Sequence, residues 1–264
     1  MIPQLVFGDA NAKLKALQSK LGRKLYTFSV MSGYTCPYAK DCLSKAVFNG
    51  NSWTIIDGPD IQFRCFSASQ EVIFPSVRAS RINNMRLIEL AAIDVNKAIE
   101  AISVNIPKDC SVLRLHVGGD FKTQAYFDTW LEFARLNPHI LVYAYTKSLP
   151  FWVKRINELP VNFVLTASRG GYKDVLINQH NLRESIVVNP MIPGHKIIDA
   201  NYASIDGVVY EIDHDDSHAA SVGPSFALVI HGIQPKGTIA SEGLKKLDGF
   251  GTYNQKTGAN TVYA

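Results

Sequence analysis

Short runs of β-branched and aromatic residues recur along the chain, each closed by Gly, Asp, Ser or Asn, with longer stretches of helical periodicity between them. The runs cover residues 24–30, 112–117, 140–145, 162–166, 185–188, 207–212 and 226–230. Those beginning at 112, 140, 162 and 185 are spaced for a strand, a helix of about three turns and two short loops. The intervening segments fit that reading. Ser67-Ala68-Ser69-Gln70 has the spacing of a capping box ahead of a long helix, and Ile82, Met85, Ile88, Ile99 and Ile102 follow at helical intervals. Residues 123–136 carry Tyr126, Trp130 and Ala134 on one face, and Asn137-Pro138 stops them. Ser148 precedes Pro150 at the start of a short helix that ends near Pro160.

Alternating apolar strands and helices predict an α/β fold with a parallel sheet and right-handed crossovers. The chain is long enough to wrap that sheet into a full or partial (β/α) barrel, and an open doubly wound sheet is the alternative. No boundary divides the sequence, so the expectation is a single α/β domain over residues 1–264. Residues from about 232 read as a Gly-rich tail packed against it.

In parallel α/β folds, functional groups lie in the loops that follow the strands' C-terminal ends. The unusual residues of this chain sort to that edge. Cys36, Cys42 and Cys65 follow the first run, Gly118-Gly119-Asp120 the second, Thr146-Lys147 the third, Ser168-Arg169-Gly170-Gly171 the fourth, and Asp213-His214-Asp215-Asp216-Ser217-His218 the sixth.

Composition narrows the class. Hydrophobic residues make up 47% and charged residues 19% of 264, with a net charge of +4 and no like-charge block. This material builds a large core and argues against disorder. The cations are scattered, so a small anionic ligand fits the charge pattern better than nucleic acid. No apolar run approaches the length of a membrane span, and the first residues lack a signal-peptide pattern, so the expectation is a soluble protein in a cytoplasm. Four cysteines are too few for a disulfide scaffold.

Cys36 and Cys42 have five residues between them, and Cys65 follows 22 further on. Three thiolates on one loop can hold iron or zinc, although a free cysteine can also be a small buried hydrophobe, and the spacing matches neither common ferredoxin run. Cys110 falls at the opposite edge and reads as packing. His214 and His218 stand at i, i+4: on a helix they would share a face and could complete a metal site, and on a loop the cluster would be a solvated turn. Lys147 and Arg169 would place positive charge over the same mouth, or be surface cations. Gly170-Gly171 could offer backbone N–H groups to an anion. His116 reads equally as a core histidine or an active one.

These residues resemble two groups. Three cysteines after strand one and Gly118-Gly119-Asp120 after strand two are similar to the radical S-adenosylmethionine enzymes. That resemblance implies a partial barrel, a [4Fe–4S] cluster on Cys36, Cys42 and Cys65, and S-adenosylmethionine on the open iron with its amino group at the Gly-Gly-acid motif. The cysteine spacing departs from that family's tighter pattern. Over nearly the whole chain, stretches such as Phe63-Arg64-Cys65-Phe66-Ser67, Tyr143-Ala144-Tyr145-Thr146-Lys147 and Leu165-Thr166-Ala167-Ser168-Arg169-Gly170-Gly171 resemble the phage family named for gene product 88, which implies a phage origin and expression in the host cytoplasm. The sequence therefore predicts a phage metalloprotein whose [4Fe–4S] cluster has its fourth iron open or held by His214 or His218. The alternatives are a zinc protein, structural or hydrolytic, and a non-enzymatic phage binding module.

Overall fold

The computed structural model describes residues 2–247. The chain begins with β1 (Gly8–Asp9), α1 (Ala12–Leu21), β2 (Leu25–Phe28), the hairpin strands β3 (Ser44–Phe48) and β4 (Trp53–Asp57), and helices α2 (Phe66–Ile73), α3 (Pro75–Ile93) and α4 (Val95–Asn105). Alternation follows: β5 (Val112–Leu115), α5 (Gln124–Leu136), β6 (Leu141–Thr146), α6 (Leu149–Val153), β7 (Phe163–Ser168), α7 (Val175–Gln179) and β8 (Glu184–Val188). Then come β9 (His195–Ile197), β10 (Tyr202–Ile205), β11 (Val208–Glu211), β12 (Phe226–Val229) and α8 (Ile239–Lys246).

Seven strands form the main sheet in the order β1-β2-β5-β6-β7-β8-β12. All neighbours are parallel except the two-residue β1, which pairs antiparallel with β2. The parallel strands lie side by side in chain order, so the reversal that defines a doubly wound sheet does not occur. The sheet ends at β1 and β12 and does not close on itself.

Side-chain alternation gives the sheet two different faces. Phe28, Leu115, Ala144 and Leu165 stand in register on one face, in a core shared with Leu87 of α3, Ile102 of α4, and Tyr126 and Trp130 of α5. Leu25, Val112, Tyr143 and Val164 stand on the other, against Leu14 and Leu17 of α1 and the segment holding Ala219 and Ala220. Cys110 lies in the first core, its thiol against the Val112 carbonyl at 3.5 Å.

Several elements depart from the sequence expectation. The segment expected as one long helix is three, broken at Phe74-Pro75 and at Asp94. Its first helix is capped by Cys65, and Ser67 is buried inside it, so the capping-box spacing does not mark the start. Residues 44–57 form a hairpin turning at Gly50 (φ +93°), and residues 208–211 pair outside the main sheet, to which the run returns only through the Ile212–Ala227 bridge. There β11 pairs antiparallel with β10 across Asp206-Gly207, both at positive φ, the two-residue turn that Asp-Gly favours. After residue 232 the chain forms α8, started by the Thr238 hydroxyl, with Ala240 and Leu247 packed on Val188 and Val229; the rest of the expected tail lies outside the described residues.

Candidate metal centre

The β3–β4 hairpin explains how a wide cysteine spacing becomes a compact site. Its base closes where the Asp41 carbonyl accepts from the N–H groups of Gln62 (2.7 Å) and Phe63 (3.1 Å), and the Leu43 carbonyl from Gly58 (2.6 Å). The Ser44 hydroxyl then accepts from Cys65 N–H at 3.2 Å. The residues between Cys42 and Cys65 are thus looped out, and the two cysteines return to the same cavity. Cys36 is fixed from its own loop, where Gly33 N–H donates to its sulfur at 3.3 Å.

Gly118-Gly119 joins this loop to the rest of the site by close packing. A β-carbon on Gly118 would collide with the Ser67 hydroxyl and come within 2.7 Å of the Arg81 guanidinium. One on Gly119, at φ +86°, would lie 2.5 Å from Val30 and 2.6 Å from the Thr35 hydroxyl. Both glycines are needed for this approach. Beneath them Arg81 and Glu71 form a buried pair at 2.8 Å, and Glu71 also accepts from Ser32 N–H and its hydroxyl, each at 2.9 Å. That network binds the start of the cysteine loop to α2 and α3.

The Asp120 carboxylate is engaged by the protein itself. It accepts from Phe121 N–H (2.7 Å), the Thr146 hydroxyl (2.6 Å) and Lys147 N–H (2.9 Å), locking the loops after β5 and β6 together. The Lys147 ammonium donates to the Ser168 carbonyl (3.0 Å), the Ser168 hydroxyl (2.7 Å) and the Arg169 carbonyl (2.8 Å).

Cys36, Cys42, Cys65, Gly118, Gly119, Asp120 and Lys147 line one cavity of about 190 Å³. The thiols sense one another. Burial pushes Cys36 well above the usual thiol range, and negative charge on Asp120, Cys65 and Cys42 adds to it. Burial likewise raises Cys42, with Lys147 opposing, and lifts Cys65 to about 11, with the N–H groups of Ala68 and Ser67 at the start of α2 opposing. All three are therefore neutral thiols near neutral pH, and a metal would have to displace their protons. Among the described residues, no three His, Cys, Asp or Glu side chains converge closely enough to hold a single metal ion.

Of the remaining predicted residues, His116 lines the same cavity and the others are placed elsewhere. Arg169 lines a neighbouring cavity with Asp41 and Phe63 and pairs with Glu184 at 2.5 and 2.9 Å. The Gly170 and Gly171 N–H groups do meet an anion, the Asp174 carboxylate at 2.7 and 2.9 Å, while Gly170 O accepts from Asp41 N–H at 2.9 Å. The two glycines thus stitch the cysteine loop to β7. His214 and His218 are not brought to the thiols, because residues 213–218 form a turn beside the antiparallel β9–β11 sheet and not a helix. His214 Nε2 lies 2.6 Å from the Ala200 carbonyl, and His218 Nε2 2.6 Å from Glu211. His116, at φ +60°, lies against Phe121 and Tyr126, its Nε2 3.0 Å from the Tyr126 hydroxyl; burial lowers its pKa to about 3.

Two groups at the cavity were given no role of their own from the sequence, although Asp216 lies in the segment sorted to that edge. Asp216, at φ +65°, lies within 2.7 Å of Lys13, 2.5 Å of Arg114 and 3.2 Å of the Tyr143 and Tyr145 hydroxyls. His231 follows β12, with Nδ1 2.9 Å from the Val229 carbonyl and its ring against Phe66, next to Cys65. An aspartate pairing with basic residues about one hundred and two hundred positions away leaves no local pattern. His231, directly after the last apolar run, was within reach of the strand-end rule.

Fold and site define a mixed α/β protein with a thiol-lined cavity at the C-terminal edge of a largely parallel sheet. The chain itself belongs to the phage Gene product 88 family, whose model matches residues 5–248. No curated protein and no solved structure matches it. Among the described residues, no helix is long and apolar enough to cross a membrane.

Proposed function

We propose that Cys36, Cys42 and Cys65 hold a [4Fe–4S] cluster, with the fourth iron turned toward the cavity. The observation that supports this is the convergence of three half-buried, mutually coupled thiols on one cavity at the edge of the sheet where parallel folds carry their chemistry. Each thiol meets a backbone N–H, from Gly33, Cys42 itself, or Ser67 and Ala68, the donors that stabilise sulfur charge in cluster sites. In a cubane each thiolate binds a different iron, so the sulfurs need not crowd one point, whereas around zinc each lies only about 2.3 Å from the same ion. The looser grouping favours the cluster over the zinc alternative.

The sequential order of β2, β5, β6, β7, β8 and β12 supports a partial barrel, with these loops gathered at its mouth. The fourth iron would take a small ligand, with S-adenosylmethionine as one candidate. Gly118-Gly119-Asp120 would then contribute cavity wall, since the Asp120 carboxylate already receives three hydrogen bonds.

Anaerobic reconstitution with iron and sulfide tests the reading. The expected result is a brown protein whose charge-transfer absorption disappears in Cys36→Ala, Cys42→Ala and Cys65→Ala and survives in Cys110→Ala. A colourless wild-type protein after reconstitution would overturn it. Addition of S-adenosylmethionine, followed by the paramagnetic spectrum of the reduced protein, reports whether that molecule reaches the open iron.

A further inference from the structure

A second cavity, of about 200 Å³, lies beside the thiol cavity, with Phe63 and Val187 lining both. It has no part in the cluster reading. Its apolar wall is Ile186, Val187, Ile192 and Phe63, and its polar groups include Asp41, Arg169 and His195, each half-buried. The fold brings them together at the edge where parallel sheets carry their chemistry. Arg169 follows β7, the segment from Asn189 to His195 follows β8, and Asp41 comes from the loop after β2.

Each of the three polar groups is fixed through one edge and unused at another. Nε and Nη2 of Arg169 lie on the Glu184 carboxylate at 2.5 and 2.9 Å, which leaves Nη1. His195 accepts the Asn189 N–H at Nδ1, at 3.3 Å. A backbone amide only donates, so the ring is neutral and carries its proton on Nε2. Asn189 is tied in turn to α8, its Nδ2 donating to the Ile239 carbonyl at 3.3 Å. The Asp41 backbone is held by Gly170, Gln62 and Phe63, and the cation within ion-pair distance of its carboxylate is Lys40, at 4.0 Å. Among the described residues, Arg169 Nη1, His195 Nε2 and the Asp41 carboxylate have no hydrogen-bond partner. Polar edges partly withdrawn from water are costly when nothing meets them.

Charge narrows the guest. Glu184 already matches the Arg169 guanidinium, so the site holds no excess of one sign, and a guest with a net charge would leave that charge unmatched. Two donors and one carboxylate suit a molecule that carries both an anionic and a cationic group. The volume admits only a small one, and the wall favours an apolar part. We propose that this cavity binds a small apolar α-amino acid, its carboxylate on Arg169 and His195 and its ammonium on Asp41.

The test uses the metal-free full chain with labelled isoleucine, leucine and valine methyl groups, so its outcome does not depend on a cluster. L-Leucine is the probe. Saturable shifts are expected at Ile186 and Ile192, which line this cavity, with Leu228 and Ile230 of the thiol cavity unmoved. Isocaproate, which lacks the ammonium, and isoamylamine, which lacks the carboxylate, are each expected to bind about tenfold more weakly or worse, the loss of a charge-assisted contact. Asp41→Asn is expected to weaken leucine by a similar factor and to leave isocaproate as tight or tighter. His195→Ala is expected to weaken leucine and isocaproate and to leave isoamylamine unchanged. Arg169→Gln repeats the His195→Ala pattern; if the loss of the Glu184 partner prevents it from folding, the other two variants carry the test. No shifts at millimolar leucine, shifts confined to Leu228 and Ile230, or isocaproate bound as tightly as leucine by the wild type would each overturn the proposal.

Discussion

The two ends of the cavity carry the same physical problem and solve it in opposite ways. At one end Asp216 is completely buried, yet Arg114, Lys13 and the hydroxyls of Tyr143 and Tyr145 hold its carboxylate down to about 2. At the other end Cys36, Cys42 and Cys65 are pushed upward, because burial acts on them with only backbone N–H groups and one ammonium in opposition. The Asp216 carboxylate is supplied with its own charge partners, and the thiols, opposed by little positive charge, stay protonated. Burial alone does not separate a structural cluster from a binding one. The presence of charge partners does.

That contrast breaks first at Asp216. Replacing it by Ala strands two buried cations, and the expected loss is about 3–5 kcal/mol in denaturant unfolding. The sign of the pH dependence follows from a lowered carboxylate. Asp216 contributes stability above the unfolded Asp value of about 3.9, and that contribution is lost as pH falls from about 4 to about 2. Asp213, raised by burial and by Asp216, acts in the opposite sense, so the net acid transition is to be compared between wild type and Asp216→Asn.

Next in size is Gly119→Ala, which meets both a positive φ and close contacts with Val30 and Thr35. A loss of about 2–3 kcal/mol is expected, with reduced metal uptake because the Thr35 segment moves. Cys36→Ala, Cys42→Ala and Cys65→Ala sharpen the comparison from the other side. Each is expected to abolish cluster uptake while shifting stability of the metal-free chain by less than about 2 kcal/mol, since half-buried thiols fill little core. The pH profile of metal binding runs in the same direction as the Asp216 profile but lies at higher pH, because the thiols are raised where the carboxylate is lowered. Affinity is expected to rise with pH, by up to about tenfold per unit for each thiol that must lose its proton. The smallest effect belongs to His214→Ala and His218→Ala, expected to change stability by about 0.5 kcal/mol and metal content not at all.

The gradient in these effects follows how legible each part was from sequence. The parallel strands were readable because fully buried strands are continuous apolar runs, and α5 because Thr123 and Asn137-Pro138 mark its ends. The strand-end rule sends the cysteines, Gly118-Gly119-Asp120 and Lys147 to one edge, and all of them line one cavity. Two hairpins were missed although Asn49-Gly50 and Asp206-Gly207 announce them, because an exposed hairpin strand such as β4 or β11 carries the same β-branched and aromatic residues as a buried sheet strand. The second hairpin matters at the site, because it carries residues 213–218 into a turn where His214 meets the Ala200 carbonyl and His218 meets Glu211. The Asp216 cluster was invisible for a different reason. Lys13, Arg114, Tyr143 and Asp216 meet only through tertiary folding, and no spacing rule connects them.

The central claim is that the thiol end binds a multi-iron cluster. Its most direct test is the iron and acid-labile sulfide content of anaerobically prepared wild-type protein, compared with Cys65→Ala. The account predicts about four of each per chain in the wild type, as a [4Fe–4S] centre requires, and neither in the variant. Zinc without sulfide, or an equal iron content in both proteins, would contradict it.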